Sequence, residues 1–135
     1  MEKQKKVIDA SVVVKWFLNE EGSITARSLK NELVDGNIMF LAPELLLLEV
    51  INTLRYKRKD KKELIHISKV ILNTGIKIVR LDKESLFKAI ENSLKYDITI
   101  YDALYVTIAQ LHGTFLITAD KELLKIPNTI SLEKT

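Results

Sequence analysis

The chain has 135 residues, with 21 Lys and Arg against 18 Asp and Glu and a formal charge of +3. That length suits one domain, burying about 65% of the surface its unfolded chain exposes, so no disulfide or structural metal is needed. The absence of cysteine excludes a disulfide scaffold, a thiolate zinc site and cysteine catalysis, while 47% hydrophobic and 29% charged residues exclude intrinsic disorder.

The sequence predicts alternating strands and helices. Residues 2–6 are polar and lead directly into an apolar strand, Lys6 to Asp9, with no secretory signal, so the expected location is the cytoplasm. Ser11 to Asn19 and Ser23 to Val34 are predicted helices, with Gly22-Ser23 as stop and N-cap. After the turn Asp35-Gly36-Asn37 comes a strand, Ile38 to Leu41, and Pro43 opens a helix running to about Arg58. The longest apolar run, Ile38 to Ala42, is far shorter than the ~20 residues that span a bilayer. A helix restarts at Asp60 and ends at Thr74-Gly75. The strand Lys77 to Leu81 follows, then helices Lys83 to Lys95 and Thr99 to Leu111. Thr114 to Thr118 is a strand, Lys121 to Leu124 a short helix and Thr129 to Leu132 a last strand.

This order implies an α/β fold: one small, mostly parallel central sheet with helices on both faces, in a single domain over residues 1–135. Val7-Ile8, Ile78-Val79 and Phe115-Leu116-Ile117 are short apolar runs of the kind buried on both sides of a sheet. Open sheets of this class bind ligands beyond the carboxyl ends of their strands, which directs attention to Asp9 and Asp120.

Four acids lie in apolar company. Asp9 follows Val7-Ile8, Glu49 sits between Leu45-Leu46-Leu47-Leu48 and Val50-Ile51, Asp102 is flanked by Ile100-Tyr101 and Ala103-Leu104, and Asp120 ends Phe115 to Ala119. A buried, unpaired carboxylate costs several kcal/mol, on the order of a domain's whole stability. Taken singly, each has a structural role open to it. Asp9 and Asp120 suit helix N-caps, Asp102 completes an approximate capping box with Thr99, and Glu49 shares a polar stripe with Asn52 and Tyr56. Glu49 is the least easily explained, since mid-helix it caps nothing. Together, with no cysteine and only His66 and His112, the four point to a hard cation such as Mg²⁺ or Mn²⁺ and to metal-assisted phosphodiester hydrolysis.

Four runs carry a family resemblance: Val7-Ile8-Asp9-Ala10-Ser11-Val12, Pro43 through Glu49 to Asn52, Tyr101-Asp102-Ala103-Leu104-Tyr105, and Leu116-Ile117-Thr118-Ala119-Asp120. In this order the chain resembles the PIN-domain ribonucleases, and within them the VapC-type toxins of toxin–antitoxin pairs, from about Val7 to Ile126. The resemblance implies that Asp9, Glu49, Asp102 and Asp120 are catalytic residues binding Mg²⁺ or Mn²⁺. It also implies that Ser11 and Thr118 orient a carboxylate or a water beside them. Asn52, one turn beyond Glu49, is a plausible neighbour of the site, and Glu122 is a candidate auxiliary acid. The resemblance further implies an RNA substrate, a homodimer and a cognate antitoxin whose peptide crosses the active-site groove, where an Arg would stand in for the metal's charge. The alternative is a PIN-like module that binds RNA or protein with weak catalysis. It is disfavoured because all four acids are present.

The positive charge is concentrated. Arg55-Tyr56-Lys57-Arg58-Lys59-Asp60-Lys61-Lys62 holds six basic residues and one acid. Arg55, Lys57, Arg58 and Lys59, with Lys15 after the first acid, are candidate substrate contacts that would guide RNA towards an acidic site. His66 and His112 lack metal-ligand spacing and read as structural, as do Trp16 and Phe17. Tyr101 and Tyr105 read as packing residues. A dehalogenase-type phosphatase needs an acid at the position of Ser11, and a receiver domain needs an acidic neighbour for Asp9. No Gly-rich phosphate loop is present.

Overall fold

The computed structural model describes residues 3–57 and 59–135. Five strands form one sheet in the order β3-β2-β1-β4-β5, and every pairing is parallel. The strands are β1 (Gln4–Ile8), β2 (Ile38–Pro43), β3 (Lys77–Val79), β4 (Leu116–Thr118) and β5 (Thr129–Ser131). The helices are α1 (Ala10–Val13), α2 (Ser23–Val34), α3 (Leu45–Tyr56), α4 (Lys61–Asn73), α5 (Lys83–Tyr96) and α6 (Ile100–Leu111). Among the described residues no helix is long and apolar enough to cross a membrane.

Successive strand residues point to opposite faces of a sheet. Val7 and Ile8 are both wholly buried, as are Phe40, Leu41 and Ala42 on β2 and Leu116 and Ile117 on β4. Both faces are therefore covered, which makes three layers. The helix α6 packs against β1, β2 and β4, and α2 packs against β2. The expected architecture is the one observed, with the sheet parallel throughout.

Several boundaries differ from expectation for identifiable reasons. Pro43 closes β2, paired with Val79, instead of opening α3. A strand end tolerates the missing N–H as readily as a helix start does. The predicted helix from Ser11 is only one turn of α-helix, continued as a 3₁₀ turn over Val14–Trp16. Its run of three valines is poorly suited to a long helix. Gly22, at φ +86°, is the N-cap of α2, because that left-handed backbone is open to glycine. Ser23 is the first helical residue, and its hydroxyl accepts from the Glu20 N–H at 3.0 Å. The predicted short helix near residue 121 is a 3₁₀ turn over Leu123–Lys125. The third strand stops at Val79, short of Leu81, the fourth begins at Leu116, and the last ends at Ser131.

The strand order places a switch point between β1 and β4. From β1 the chain moves to β2 on one side, and from β4 it moves to β5 on the other. The two connections part beyond the strand ends and leave a crevice. The register Val7↔Leu116 and Ile8↔Ile117 brings the end of β1 alongside the end of β4.

Candidate active site

Asp9 leaves β1 at that crevice and Thr118 is the last residue of β4. Both are buried, Asp9 at 5% exposure and Thr118 at 0%. Ser11 bridges the two strand ends. Its hydroxyl donates to Asp9 Oδ1 at 2.5 Å, lies 3.4 Å from Thr118 Oγ1 and accepts from the Ala119 N–H at 2.9 Å. Thr118 Oγ1 in turn accepts from the Asp120 N–H at 3.0 Å, and Asp120 Oδ1 accepts from the Glu122 N–H at 2.9 Å. Asp9 occupies the N-cap of α1 but makes no capping bond with its side chain.

The other two acids come from helices. Asp102 lies in the first turn of α6, and its N–H is capped by Thr99 Oγ1 at 3.1 Å. Glu49 projects from α3, where Glu49, Thr53 and Lys57, spaced four residues apart, face one cleft of about 440 Å³. All four acids line it, with Ser11, Lys15, Glu20 and Ala119 among the other residues. The polar stripe on α3 thus runs through Thr53 and Lys57, whereas Asn52 and Tyr56 are exposed and outside the lining.

Electrostatics mark the same group. Burial pushes the Asp9 carboxyl up from 3.8 to about 6, opposed by the hydroxyls of Ser11 and Thr118 and by the Val12 N–H, and reinforced by the charge of Asp120. Burial also raises Glu49, against the bond from Tyr105 and with added repulsion from Asp102. Asp102 is raised by burial and by Asp120, with Thr99 opposing. Among the described residues none of the four acids has a Lys or Arg partner. Clustered, partly desolvated carboxylates without a counter-charge are a feature of functional sites.

The donor set fits a hard divalent ion. The titratable ligands lining the cleft are carboxylates, with no His. Among the described residues no three His, Cys, Asp or Glu side chains stand close enough together to hold a metal ion as they are arranged. Mg²⁺ makes limited demands here, since it keeps several waters and takes only one or two carboxylates directly. The cleft has room for those waters.

The remaining candidates are dispersed. Lys15 lines the cleft, but its ammonium is held by Glu20 Oε1 at 3.1 Å and by the Glu21 carbonyl at 2.6 Å. Lys57 lines the cleft at the α3–α4 junction. Arg55 is exposed with its guanidinium 5.7 Å from the Tyr56 ring, and Lys59 pairs with Glu63 at 3.6 Å. Arg58 lies outside the described residues. Glu122 is exposed, pairs with Lys125 at 3.1 Å and does not line the cleft. His66 and His112 are exposed and far from forming a ligand pair.

Two contributors escape a reading of the sequence alone. Thr53 carries the α3 stripe, and the four-residue step from Glu49 was the available signal. Tyr105, expected to be a packing residue, is buried but donates its hydroxyl to Glu49 Oε1 at 2.6 Å. Nothing in its local sequence announces a bond to a residue 56 positions away.

The PIN domain family model matches residues 6–128, nearly the whole chain. The chain belongs to the PIN domain family. No curated protein matches it by sequence. Solved structures match its fold. VapC20 of Mycobacterium tuberculosis, a toxin that cleaves the sarcin–ricin loop, has a TM-score of 0.71 at 15% identity over 89% of this chain and 93% of that one. A toxin–antitoxin complex from Klebsiella pneumoniae gives 0.70 at 16% identity over 94% and 97%. VapBC2 of Rickettsia felis, bound to a promoter DNA fragment, gives 0.67 at 16% identity over 95% and 97%. Identities this low establish a shared fold and leave the choice of substrate to this chain's own residues.

Proposed function

We propose that this PIN domain protein is a divalent-metal-dependent endoribonuclease and the toxin of a toxin–antitoxin pair. The observation that carries the reading is the meeting of Asp9, Glu49, Asp102 and Asp120, from four separate segments, in one cleft at the switch point of the sheet. The toxin neighbours support the biological setting. The working form is a homodimer in the cytoplasm, a single nuclease domain whose groove is covered by a cognate antitoxin when inactive.

Asp9, Glu49, Asp102 and Asp120 would hold Mg²⁺ or Mn²⁺. When bound, the ion supplies Lewis-acid polarisation of the scissile phosphate and activation of the attacking water. Ser11 fixes the Asp9 carboxylate by donating to Oδ1, and its other contact, from the Ala119 N–H, locks the two strand ends together. With its hydroxyl so engaged, Ser11 orients a carboxylate and is not a nucleophile. Thr118 supports Ser11 and the turn to Asp120. Lys57, at the mouth of the α3 stripe, meets the incoming phosphate chain, with Arg55, Arg58 and Lys59 adding long-range attraction. Lys15 forms one wall and reaches substrate only by exchanging its bond to Glu20. Asn52 and Glu122 stand outside the cleft lining. Without a side-chain nucleophile no covalent enzyme intermediate forms, and direct hydrolysis leaves 5′-phosphate and 3′-hydroxyl ends.

The test is to sequence RNA ends after treating total RNA with the wild type and with Asp9→Asn in Mn²⁺. Discrete 5′-phosphate ends from the wild type alone support the proposal. Equal cleavage by Asp9→Asn and Asp102→Asn would overturn it, and binding without cleavage would return the chain to the RNA- or protein-binding module.

A further inference from the structure

Glu49 differs from the other three acids in its setting. Asp9 and Asp120 are held at strand ends by short-range bonds to Ser11 and to the Glu122 N–H, and Asp102 sits on a capped helix turn. Glu49 lies mid-helix on α3 on a longer, more flexible side chain. Among the described residues its carboxylate has one hydrogen-bond partner, the Tyr105 hydroxyl at 2.6 Å. Tyr105 is 1% exposed, with its ring fixed in the core that joins α6 to the sheet. It lies three residues after Asp102, so α6 brings a carboxylate to the cleft and, from the adjacent turn, a phenol to the Glu49 carboxylate behind it. The bond joins α6 to α3 across the site.

We propose that Tyr105 is a positioning residue for the metal site: by holding Oε1 of Glu49, its buried hydroxyl selects one rotamer and leaves the second oxygen free for the ion. This rests on the metal-dependent reading above and adds a residue to it. A free glutamate loses rotamer freedom when it is ordered, and a preset carboxylate has already met that cost at folding. Partners that orient ligating groups typically change metal affinity or activity about 10–100-fold when removed. Tyr105→Phe keeps the ring and its packing while deleting only the bond.

The experiment is calorimetric titration of the full-length protein with Mn²⁺ alone, without RNA, beside a thermal melt of each variant. Tyr105→Phe should weaken Mn²⁺ binding about 10–100-fold while its melting temperature in chelator stays within a few degrees of wild type. In a Glu49→Asp background, where the shortened carboxylate is withdrawn from the phenol, adding Tyr105→Phe should weaken Mn²⁺ no further. If Tyr105→Phe binds Mn²⁺ like wild type while Asp9→Asn and Glu49→Gln do not, the positioning role is wrong and the metal-dependent reading stands. If Asp9→Asn and Glu49→Gln also bind like wild type, the metal-dependent reading itself fails. Should Tyr105→Phe not fold, a metal-loaded wild-type crystal decides: the Tyr105–Glu49 bond persists under the proposal, and a bond broken on loading overturns it.

Discussion

Replacing Asp9 with Asn should stabilise the metal-free protein, by an amount that depends on pH. Asp9 is almost fully buried, and burial raises its carboxyl from 3.8 to about 6. A raised acid favours the protonated form in the fold. Below pH ~3.8 the side chain is neutral both folded and unfolded, and no penalty exists. As pH rises towards 6 the unfolded chain ionises freely while the fold resists, and stability falls. Above about 6 both forms are ionised and the penalty is constant. At 1.36 kcal/mol per tenfold, the full penalty is about 3 kcal/mol. Asn is nearly isosteric and keeps an oxygen for the Ser11 hydroxyl, but it never ionises. The variant should therefore match wild type near pH 4 and exceed it by up to about 3 kcal/mol at pH 7.5. For a domain of this size that is roughly 10 °C in melting temperature.

The assay is a set of thermal melts in chelator from pH 4 to 8 for both proteins, repeated in Mn²⁺ at neutral pH. An ion bound to the folded state alone stabilises it by about 2.7 kcal/mol at a hundredfold excess over its dissociation constant. Mn²⁺ should thus raise the wild-type midpoint and close much of the gap to Asp9→Asn, which gains little. Parallel melting curves for the two proteins across the whole pH range would refute the reasoning, because the carboxylate would then carry no burial penalty. A destabilised Asp9→Asn at pH 7.5 would show that the side chain is structural.

Further outcomes follow from the same geometry. Asp102→Asn should abolish RNA cleavage in Mn²⁺ with a smaller gain in stability than Asp9→Asn, since Asp102 is only half-buried. Chelation with EDTA should abolish cleavage by the wild type, and excess Mn²⁺ should restore it. Activity that survives EDTA removes the metal from the mechanism. Ser11→Ala deletes the donor to Asp9 Oδ1, a bond to an ionised group worth about 1.5–3 kcal/mol, so Mn²⁺ affinity should fall at least tenfold in a titration without RNA. Lys57→Ala should weaken RNA binding and lower its salt slope by about one, whereas Lys59→Ala, already paired with Glu63, should change the slope less. In the scaffold, Asn92 is buried and donates to both Thr107 and Gln110 at 2.9 Å. Asn92→Ala should cost about 1–3 kcal/mol in chemical denaturation without altering RNA cleavage per folded molecule.

What the sequence disclosed followed from local physics. Val7-Ile8-Asp9 reads as a strand ending on an acid because a two-face-buried strand is apolar until it emerges, and the structure has that emergence at the switch point. Glu49 is conspicuous because a mid-helix acid among leucines has no local explanation. Features set by tertiary geometry did not show. Asn52 and Thr53 both lie about one turn from Glu49, and only the tilt of α3 over the cleft selects Thr53. Tyr105 has the ordinary apolar surroundings of a core residue, and its hydroxyl acquires meaning only when α6 and α3 meet. Pro43 fits a strand end and a helix start equally well, so its place was decided by pairing with Val79. Lys15 and Lys59 look like free cations in sequence, yet Glu20 and Glu63 engage them through loop and helix geometry.

Charge in the cleft ties these pieces together. Its lining includes Asp9, Glu20, Glu49, Asp102 and Asp120 against Lys15 and Lys57. Lys15 and Glu20 neutralise each other, so among the described residues four carboxylates face one free ammonium, and the site formally repels a phosphate chain when all are ionised. One divalent ion offsets two of the three excess charges and leaves the cleft slightly negative, while two ions make it slightly positive. The number of ions held therefore sets the sign of the field that RNA meets inside the groove. With one ion, attraction must come from the basic α3–α4 junction, and RNA affinity should depend steeply on those side chains. With two, the cleft itself attracts, and the junction chiefly governs the rate of encounter.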